Sequence, residues 1–473
     1  MNKYKTLLSN TFLISIGTFG SKILVFFMVR FYTGYLTPSD YGAADLITQT
    51  ANLLFPIISL GITDGVFRFA LDDERGRRSV FTVGFVTITA GSVLFLAIIP
   101  LLNLVKELRG YIWLIVIYTM ASCYHSLCAH FIRARGNTVL FSVQGIINTS
   151  LVIGLNILFL AGMNIGVTGY VLSVVLADFL STIFLFVKEK LWTQFTSHLH
   201  KIAFKRMLRY SIPLIPTTIF WWITSVSDRY MVNAIIGSTE NGIYAVSYKI
   251  PTILTLVSTI FMQAWQFSAV TESHGDKKEH IKFFANVWRS FQAVMFLSAG
   301  VVIALAKPAI TILSTRQYHS AWQYIPLLAA ATVFSSFSSF MGSVYVVTKR
   351  SVISFVTSMS GAMINISLNL LLIPSPLGVQ GAAIATFLSY FAVFIIRAVN
   401  SRRYIPFKLN SRHIAVNTAL IMVQTLFSVL ELPLWIPVQA ICVIALAAIN
   451  LKFLLPFIKK IFSAAKKIKH SEE

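Results

Sequence analysis

The sequence predicts an all-α polytopic membrane protein with about fourteen transmembrane helices, and three observations support this fold class. Hydrophobic residues make up 56% of the 473 residues and charged residues only 12%, whereas a soluble domain has about 45–50% apolar and about 25% charged residues. Apolar runs of about 20 residues, the length of helix that crosses the hydrocarbon core of a bilayer, recur from one end of the chain to the other. The first six of these runs match the next six, which predicts two similar helix bundles.

The apolar runs predict the positions of the spans. They cover residues 10–35, 42–71, 80–103, 110–132, 138–161, 167–187, 209–236, 242–270, 283–306, 322–346, 352–373, 379–399, 411–430 and 434–456. The N-terminus is placed in the cytoplasm, and Arg209, Arg397, Arg412 and Lys452, at the ends of their spans, are counted with the cytoplasmic segments. Of the 39 Lys and Arg residues, 29 then fall in cytoplasmic segments, four in outer loops and six within spans. This bias predicts that both termini are cytoplasmic. The net charge of +22 therefore reflects the membrane topology and the contact of cytoplasmic segments with anionic lipid, and no nucleic-acid partner is expected.

An internal repeat organises the chain. Residues 37–49 (TPSDYGAADLITQ) match residues 237–249 (GSTENGIYAVSYK), and residues 147–169 match residues 363–381. Because each repeat contains six spans, an even number, the two halves have the same orientation and form two lobes around a central site. The predicted domains are an N-terminal six-helix lobe (1–190), a cytoplasmic amphipathic linker (191–208), a C-terminal six-helix lobe (209–404), and an additional helix pair with a basic cytoplasmic tail (405–473).

Three prolines fall in spans that belong to the centre of each predicted lobe. Pro56 lies in the second span, and Pro213 and Pro216 lie near the start of the seventh. Proline removes a helix hydrogen bond and clashes with the preceding turn, so we expect these helices to bend or break there. We interpret the three prolines as hinges in helices that line the transport path and move during transport.

Two features of the sequence argue against other chemistry. No predicted outer loop exceeds about 15 residues, whereas an integral glycosyltransferase, polymerase or ligase generally carries its catalytic residues on a substantial outer loop. We therefore expect no enzymatic activity and no catalytic residues. Cys123, His125, Cys128 and His130 resemble metal ligands by spacing, but on a helix they point in two directions, so no metal site is expected.

Several short motifs resemble those of a known family of membrane proteins. They are residues 20–22 (GSK), 36–42 (LTPSDYG), 59–61 (SLG), 65–69 (GVFRF) and 378–386 (GVQGAAIAT). In this pattern, and in its duplication over at least residues 1–400, the chain resembles the polysaccharide-export (Wzx-like) lipid-linked oligosaccharide flippases. These belong to the multidrug/oligosaccharidyl-lipid/polysaccharide (MOP) superfamily.

The resemblance implies a fold, a substrate and a location. The fold would be a V-shaped pair of six-helix lobes around a central cavity in the bacterial cytoplasmic membrane. By alternating access it would move an undecaprenyl-pyrophosphate-linked glycan from the inner to the outer leaflet, beside other polysaccharide-assembly membrane proteins. No cofactor is implied beyond a coupling H⁺ or Na⁺. Fourteen spans also resemble the lipid II flippase branch, in which the extra helix pair forms a groove for the lipid tail.

Charged residues within the spans are the candidate site. A basic side chain at the bilayer centre costs about 2.5–3.5 kcal/mol, so it is kept only where it faces a bundle interior or a wet cavity. The six basic residues are Lys22, Arg30, Arg68, Arg229, Lys249 and Arg289, and the four acids are Asp45, Asp64, Asp178 and Asp228. Because a pyrophosphate brings at least two negative charges, we interpret the six basic residues as a cationic cavity that binds the anionic headgroup.

We interpret the four acids as gating or ion-coupling residues. Asp45 and Asp228 fall in the outer half of their spans, as do Arg30, Arg229 and Lys249, so opposite charges at one depth predict an outer gate. Asp228 can serve Arg30 or Lys249 as a partner, and the sequence leaves that choice open.

Asp178 has no partner nearby in the sequence and is therefore the strongest proton-carrier candidate. Asp64 and Arg68 are four residues apart and can neutralise each other. Coupling through Asp64 or Asp228, through membrane potential alone, or through consumption of the lipid on the far side stays open. The main alternative function is a cation-coupled multidrug or metabolite exporter of the same superfamily, which we expect to line its cavity with acids. The spans hold six bases and four acids, which argues against such an exporter.

Overall fold

The structure is a computed structural model that describes residues 20, 24–72, 76–97, 99–102, 106–196, 201–272, 277–347 and 350–469. Every regular element in these ranges is helical, which confirms the predicted all-α fold class. The chain divides into two compact units, Met1–Ala245 and Val246–Glu473. The domain bounds that the repeat predicts stay a prediction.

The first unit is built from helices α1 to α10 and most of α11. They are α1 (24–35), α2 (Pro38–Ile58), α3 (Ile62–Asp72), α4 (Arg77–Leu96), α5 (Ile99–Leu102), α6 (Ile112–Ala134), α7 (Thr138–Asn156), α8 (Gly166–Lys188), α9 (Lys201–Ser211), α10 (Ile215–Ile235) and α11 (Ser238–Ser247). Helix α6 lies at the centre and packs against α2, α3, α4 and α8. Its Cys123, Leu127 and Phe131 are fully buried because neighbouring helices cover them on several sides.

The second unit contains the rest of the chain. Its helices are α12 (Thr252–Glu272), α13 (Lys277–Ala304), α14 (Ala306–Leu313), α15 (Ile325–Val347), α16 (Ser351–Leu372), α17 (Val379–Ser401), α18 (Ser411–Val429) and α19 (Trp435–Lys469). The core is aromatic: fully buried Trp288 of α13 contacts Phe337 and Phe340 of α15 and Phe394 of α17. The C-terminal helices α18 and α19 both pack on α13, so the additional pair is part of this unit.

Nine helices of the described residues are long and apolar enough to cross a membrane, or up to eleven if each of two bent pairs is one span. The bent pairs are α2 with α3 and α11 with α12. Of the other three predicted spans, 209–236 contains α10, 411–430 contains α18, and the described part of 10–35 contains α1. Helices α10 and α18 carry polar residues such as Asp228, Arg229, Asn417 and Gln424, which lower their hydropathy. The multi-pass membrane class is thus confirmed, while the number fourteen is not.

The second predicted span is broken just after its proline. Helix α2 begins with a capping box, in which Thr37 and Asp40 satisfy each other's backbone N–H groups, and it ends at Ile58, two residues after Pro56. Leu60 and Gly61 then take left-handed φ angles of 49° and 61°, and α3 leaves at an angle of 55° to α2. The expected break is therefore present, and its role as a functional hinge stays a prediction.

The prolines of the seventh span mark a helix start. Helix α9 ends at Ser211, a short 3₁₀ turn covers Ile212–Leu214 and contains Pro213, and Pro216 lies in the first turn of α10. A first-turn proline gives up no helix hydrogen bond, because the N–H groups of that turn have no partner within the helix. These two prolines thus separate an amphipathic segment from a span, and their hinge role also stays a prediction.

Candidate functional site

A buried ion pair joins α2 to α10. The Arg229 guanidinium donates from one nitrogen, Nη1, to both carboxylate oxygens of Asp45, at 2.7 and 2.9 Å. Each residue is only 7% exposed. A charge-assisted contact of this length is among the stronger hydrogen bonds in proteins, and burial removes the water that would weaken it. The structure thus brings together two residues that the charge pattern placed at one depth.

Further polar contacts follow the same boundary between α2 and α10. The Thr50 and Tyr230 hydroxyl groups lie 2.6 Å apart, and the Tyr230 hydroxyl also donates to the Leu46 carbonyl at 3.3 Å. The Trp222 indole donates to the Gln49 carbonyl at 3.1 Å. Together with the ion pair these contacts form a polar seam along α2 from residue 45 to residue 50. Sequence reasoning missed the Thr50–Tyr230 and Gln49–Trp222 contacts, because the partners lie about 170 to 180 residues apart in the chain.

The seam ends where the two repeated motifs meet. A Cβ atom on Gly42 would meet the backbone oxygen of Ser238, and one on Gly242 would meet the backbone oxygen of Pro38. These contacts are equivalent under the offset of 200 that relates the repeats, so the motifs pack as a local pseudo-two-fold pair. Glycine at both positions lets the backbones touch. The Ser39 and Ser238 hydroxyl groups, 2.7 Å apart, close this end of the seam.

Asp228 lies beside Arg229 on α10 and is fully buried. Its Oδ2 accepts a hydrogen bond from the Tyr244 hydroxyl of α11 at 2.7 Å, and its Oδ1 accepts one from the Arg229 backbone N–H at 2.9 Å. The Tyr244 hydrogen bond joins the second half of α11 to α10. Among the predicted partners, Arg30 is exposed on α1 and Lys249 is half-buried in the break between α11 and α12. The choice between them stays open.

Asp178 of α8 is the centre of a second buried polar cluster. It accepts hydrogen bonds from Ser122 at 2.5 Å and Asn148 at 2.9 Å, and the His125 Nδ1 lies 3.3 Å from its Oδ1. The other His125 nitrogen is 2.8 Å from the Gln144 amide oxygen. Asp178 therefore has partners from α6 and α7, none of them near it in the sequence. His125, which sequence reasoning weighed only as a metal ligand, is instead a neighbour of this carboxylate.

The remaining candidates are spread over the described chain. Lys22 lies outside the described residues, Arg30, Asp64 and Arg68 are exposed, Lys249 is half-buried, and Arg289 is half-buried on α13 of the second unit. Arg30, Asp64 and Arg68 share the first unit with the ion pair, whereas Lys249 and Arg289 belong to the second.

Arg397 is a buried cation that the sequence analysis placed in a cytoplasmic segment. It lies in α17, only 2% exposed, and donates to the hydroxyl groups of Thr357 and Ser358 and to the carbonyls of Ser338 and Ser354. Hydropathy cannot separate a residue at the edge of a span from one inside the bundle. Arg397 is therefore not a residue of a cytoplasmic segment but a buried one that joins α15, α16 and α17.

A sequence comparison decides the family. The model of the polysaccharide biosynthesis protein family matches residues 28–323, which is more than half of the chain. The chain belongs to this family. No curated protein shows a significant sequence match to this family member.

Solved structures share the fold of this polysaccharide biosynthesis protein. The lipid II flippase MurJ in an inward closed conformation is similar with a TM-score of 0.65 and 15% identity, over 95% of this chain and 100% of that chain. An inward-facing multidrug resistance MATE family transporter of the MOP superfamily matches with a TM-score of 0.59 and 13% identity, over 82% of this chain and 94% of that chain. An outward-facing one matches with a TM-score of 0.57 and 15% identity, over 85% and 96%. The expected resemblance to MOP-superfamily flippases is confirmed.

Removing one partner of the buried ion pair should destabilise this family member. We expect Asp45→Asn or Arg229→Gln alone to cost about 3–5 kcal/mol, because each leaves an uncompensated buried charge, while the double variant recovers most of the loss. The matched control is Lys307→Gln, which breaks an exposed ion pair with Glu431 of the same 2.7 Å length and should cost at most about 1 kcal/mol. Thermal unfolding in detergent measures all four variants. Additive losses from Asp45→Asn and Arg229→Gln would contradict the pairing.

Proposed function

We propose that this polysaccharide biosynthesis protein is a flippase that moves an undecaprenyl-pyrophosphate-linked oligosaccharide from the inner to the outer leaflet of the bacterial cytoplasmic membrane. It acts as a transporter without a catalytic step of its own, and both termini face the cytoplasm. Its partners are the lipid-linked glycan, the bilayer and other polysaccharide-assembly membrane proteins. The observation that carries the proposal is the different burial of acids and bases within the spans.

Three of the four acids within the spans are removed from solvent. Asp45 and Asp178 are each 7% exposed, and Asp228 is fully buried. All three accept short hydrogen bonds from neighbouring helices, so their negative charge is already satisfied inside the protein. An anionic substrate therefore meets little repulsion from them.

Four of the described bases within the spans are more accessible than these acids. Arg30 and Arg68 are exposed, and Lys249 and Arg289 are half-buried. Arg229 is buried by its ion pair, and Arg397 is buried among hydroxyl and carbonyl groups. In this proposal Lys22, Arg30, Arg68 and Lys249, together with Arg289, supply the cations that offset the desolvation of a pyrophosphate. Arg229 serves the gate, because its guanidinium is committed to Asp45.

The polar seam is proposed as the outer gate of an alternating-access cycle. In the structure α2 and α10 are held together by the Asp45–Arg229 pair, and Gly42 and Gly242 seal the end of the seam. A substrate can leave on the outer side only if these contacts part. The gate is reversible because each charged partner regains water when the seam opens, which offsets the lost contact.

Two other functions have specific support. The MurJ neighbour is named as a lipid II flippase and covers 95% of this chain, so lipid II is the second candidate substrate. The MATE neighbours are named as multidrug resistance transporters. Buried and satisfied acids argue against a cationic drug here, since such a drug needs accessible carboxylates, and Asp64 is the one exposed acid among the four.

The cationic path is tested by reconstitution into liposomes. We expect Lys22→Ala, Arg30→Ala and Lys249→Ala each to insert normally yet to lose at least about tenfold in the rate at which an undecaprenyl-pyrophosphate saccharide becomes accessible to an external probe. Each variant removes a charge contact with the substrate phosphates, of the kind worth about 1.5–3 kcal/mol.

Lys307→Ala is the matched control, because it removes an exposed lysine outside the spans and should leave flipping unchanged. Wild-type rates in all three test variants would refute the cationic path. If the protein transports lipid II but no other undecaprenyl-pyrophosphate-linked glycan, lipid II is the substrate.

Proton coupling is proposed to use the Asp178–His125 pair. The two side chains lie 3.3 Å apart in a buried cluster, so a proton can move between them without crossing bulk water. We expect Asp178→Asn and His125→Gln to abolish the dependence of flipping on an imposed pH gradient, while Arg135→Gln, in another ion pair of the same unit, preserves it. If the wild-type flipping rate does not change with an imposed pH or Na⁺ gradient, proton coupling is contradicted. Membrane potential or consumption of the lipid on the far side would then drive flipping.

A further inference from the structure

A cavity of about 510 Å³ lies between the C-terminal helix pair and α13 in the second unit. Arg289 of α13, Arg412 and His413 of α18, and Lys452 and Phe453 of α19 line it. It lies at one end of the candidate span Trp435–Phe453, and the end of a membrane span is where lipid headgroups are expected. Among its cations Arg289 is also proposed for the transport path, whereas Arg412 and Lys452 are not.

The charge of the lining is of one sign. Arg289, Arg412 and Lys452 carry permanent positive charges, and none of the described residues that line the cavity has a carboxylate. The Arg289 Nε is buried and has no hydrogen-bond partner in the described part of the chain. Like charges gathered around a cavity repel each other, so the arrangement is stabilised by an anion between them.

The start of α18 adds a further attraction for an anion. Asn410 precedes the helix in a left-handed conformation with φ of 56°, and its side chain does not cap the first turn. Asn410, Arg412 and His413 all line the cavity, so the first turn of this 19-residue helix borders it. Its free N–H groups and the positive end of the helix dipole favour a negative group there.

Buried hydrogen bonds hold the cavity walls in place. Gln292 and Trp288 of α13 both donate to the Leu409 carbonyl, at 3.1 and 3.0 Å, and the Gln292 oxygen lies 3.3 Å from the His413 Nδ1. Asn450 of α19 donates to Asn417 of α18 at 2.6 Å. The three helices are therefore fixed to one another before any ligand enters, which lowers the cost of binding.

The apolar side of the cavity matches a lipid. Val416 and Ile449 line it beside Phe453, whose ring contacts both His413 and the Lys452 ammonium group, the latter at 5.0 Å. Val416 is 42% exposed on the outer face of α18. A ligand with a phosphate next to acyl chains can thus satisfy the cations and the apolar wall together.

We propose that this cavity binds the phosphate headgroup of an anionic phospholipid from the surrounding leaflet, with its acyl chains along α18 and α19. Basic pockets between transmembrane helices are suited to such headgroups. The bound lipid would hold the C-terminal pair against α13. The substrate itself is also a phosphate-bearing lipid, so the test includes it as a competing ligand.

Phosphatidylglycerol binding to the full-length protein in detergent, measured by native mass spectrometry, tests the proposal. We expect Arg289→Gln/Arg412→Gln to bind phosphatidylglycerol about 25-fold more weakly than wild type, from about fivefold per cation, and phosphatidylcholine to bind weakly to both. The matched control, Arg402→Gln/Arg403→Gln, removes two exposed arginines of the same unit outside the cavity and should bind like wild type. Phosphatidylglycerol should also raise the unfolding midpoint of the wild type and of this control, but not that of the cavity variant.

If the double variant does not fold, the single variant Lys452→Gln, at an exposed lysine, replaces it. We expect this variant to bind phosphatidylglycerol about fivefold more weakly than the wild type. The proposal is overturned if the cavity variants bind phosphatidylglycerol like wild type, or if undecaprenyl phosphate binds and phosphatidylglycerol does not. It is also overturned if inorganic phosphate alone raises the unfolding midpoint equally. Binding is read without transport, so its failure leaves the proposed flippase activity untouched.

Discussion

The contact on which the first unit depends is the buried pair between Asp45 and Arg229. A lone charge in a membrane bundle is expensive, and each of these residues is tolerable only because the other is within hydrogen-bond distance. The pair therefore fixes the position of α10 relative to α2. The hydroxyl contact of Tyr230 with Thr50 and the backbone contact at Gly42 and Gly242 depend on that same position.

The duplication in the sequence gives this seam its form. Two copies of one motif meet so that position 38 of the first copy contacts position 242 of the second, and position 238 contacts position 42. Such a self-complementary contact arises readily when a gene half is repeated, because one surface supplies both sides. The charged pair is then an asymmetric addition to a nearly symmetric boundary, which gives the boundary a specific register.

Much of the fold could be predicted from the sequence. Composition and run length predict the membrane class, the repeat predicts equivalent helices, and Pro56 predicts the break after α2. The Asp45–Arg229 contact could be anticipated from predicted depth, since the predicted topology places both residues in the outer half of their spans. The number fourteen stays unconfirmed, because α10 and α18 carry polar residues that are buried in the protein and that lower the hydropathy by which spans are counted.

The remaining residues could not be predicted, because their roles depend on packing between distant segments. His125 is next to Asp178 only because α6 packs on α8, and nothing in the spacing along α6 signals this. Arg397 looks like a loop residue until three helices surround it with hydroxyl and carbonyl groups. In the C-terminal cavity, Arg289 lies more than 100 residues before Arg412 and Lys452 in the chain, so the sequence alone could not group these three cations.

The central claim is that the seam between α2 and the α10–α11 segment must open for a lipid-linked glycan to cross. A cysteine cross-link tests it most directly, since Ser39 and Ser238 have hydroxyl groups 2.7 Å apart and the native Cys123, Cys128 and Cys442 are buried. The account predicts that oxidised Ser39→Cys/Ser238→Cys protein in liposomes stops flipping, that a reductant restores it, and that either single variant is unaffected by oxidation. Flipping at the wild-type rate by fully cross-linked protein would contradict the account.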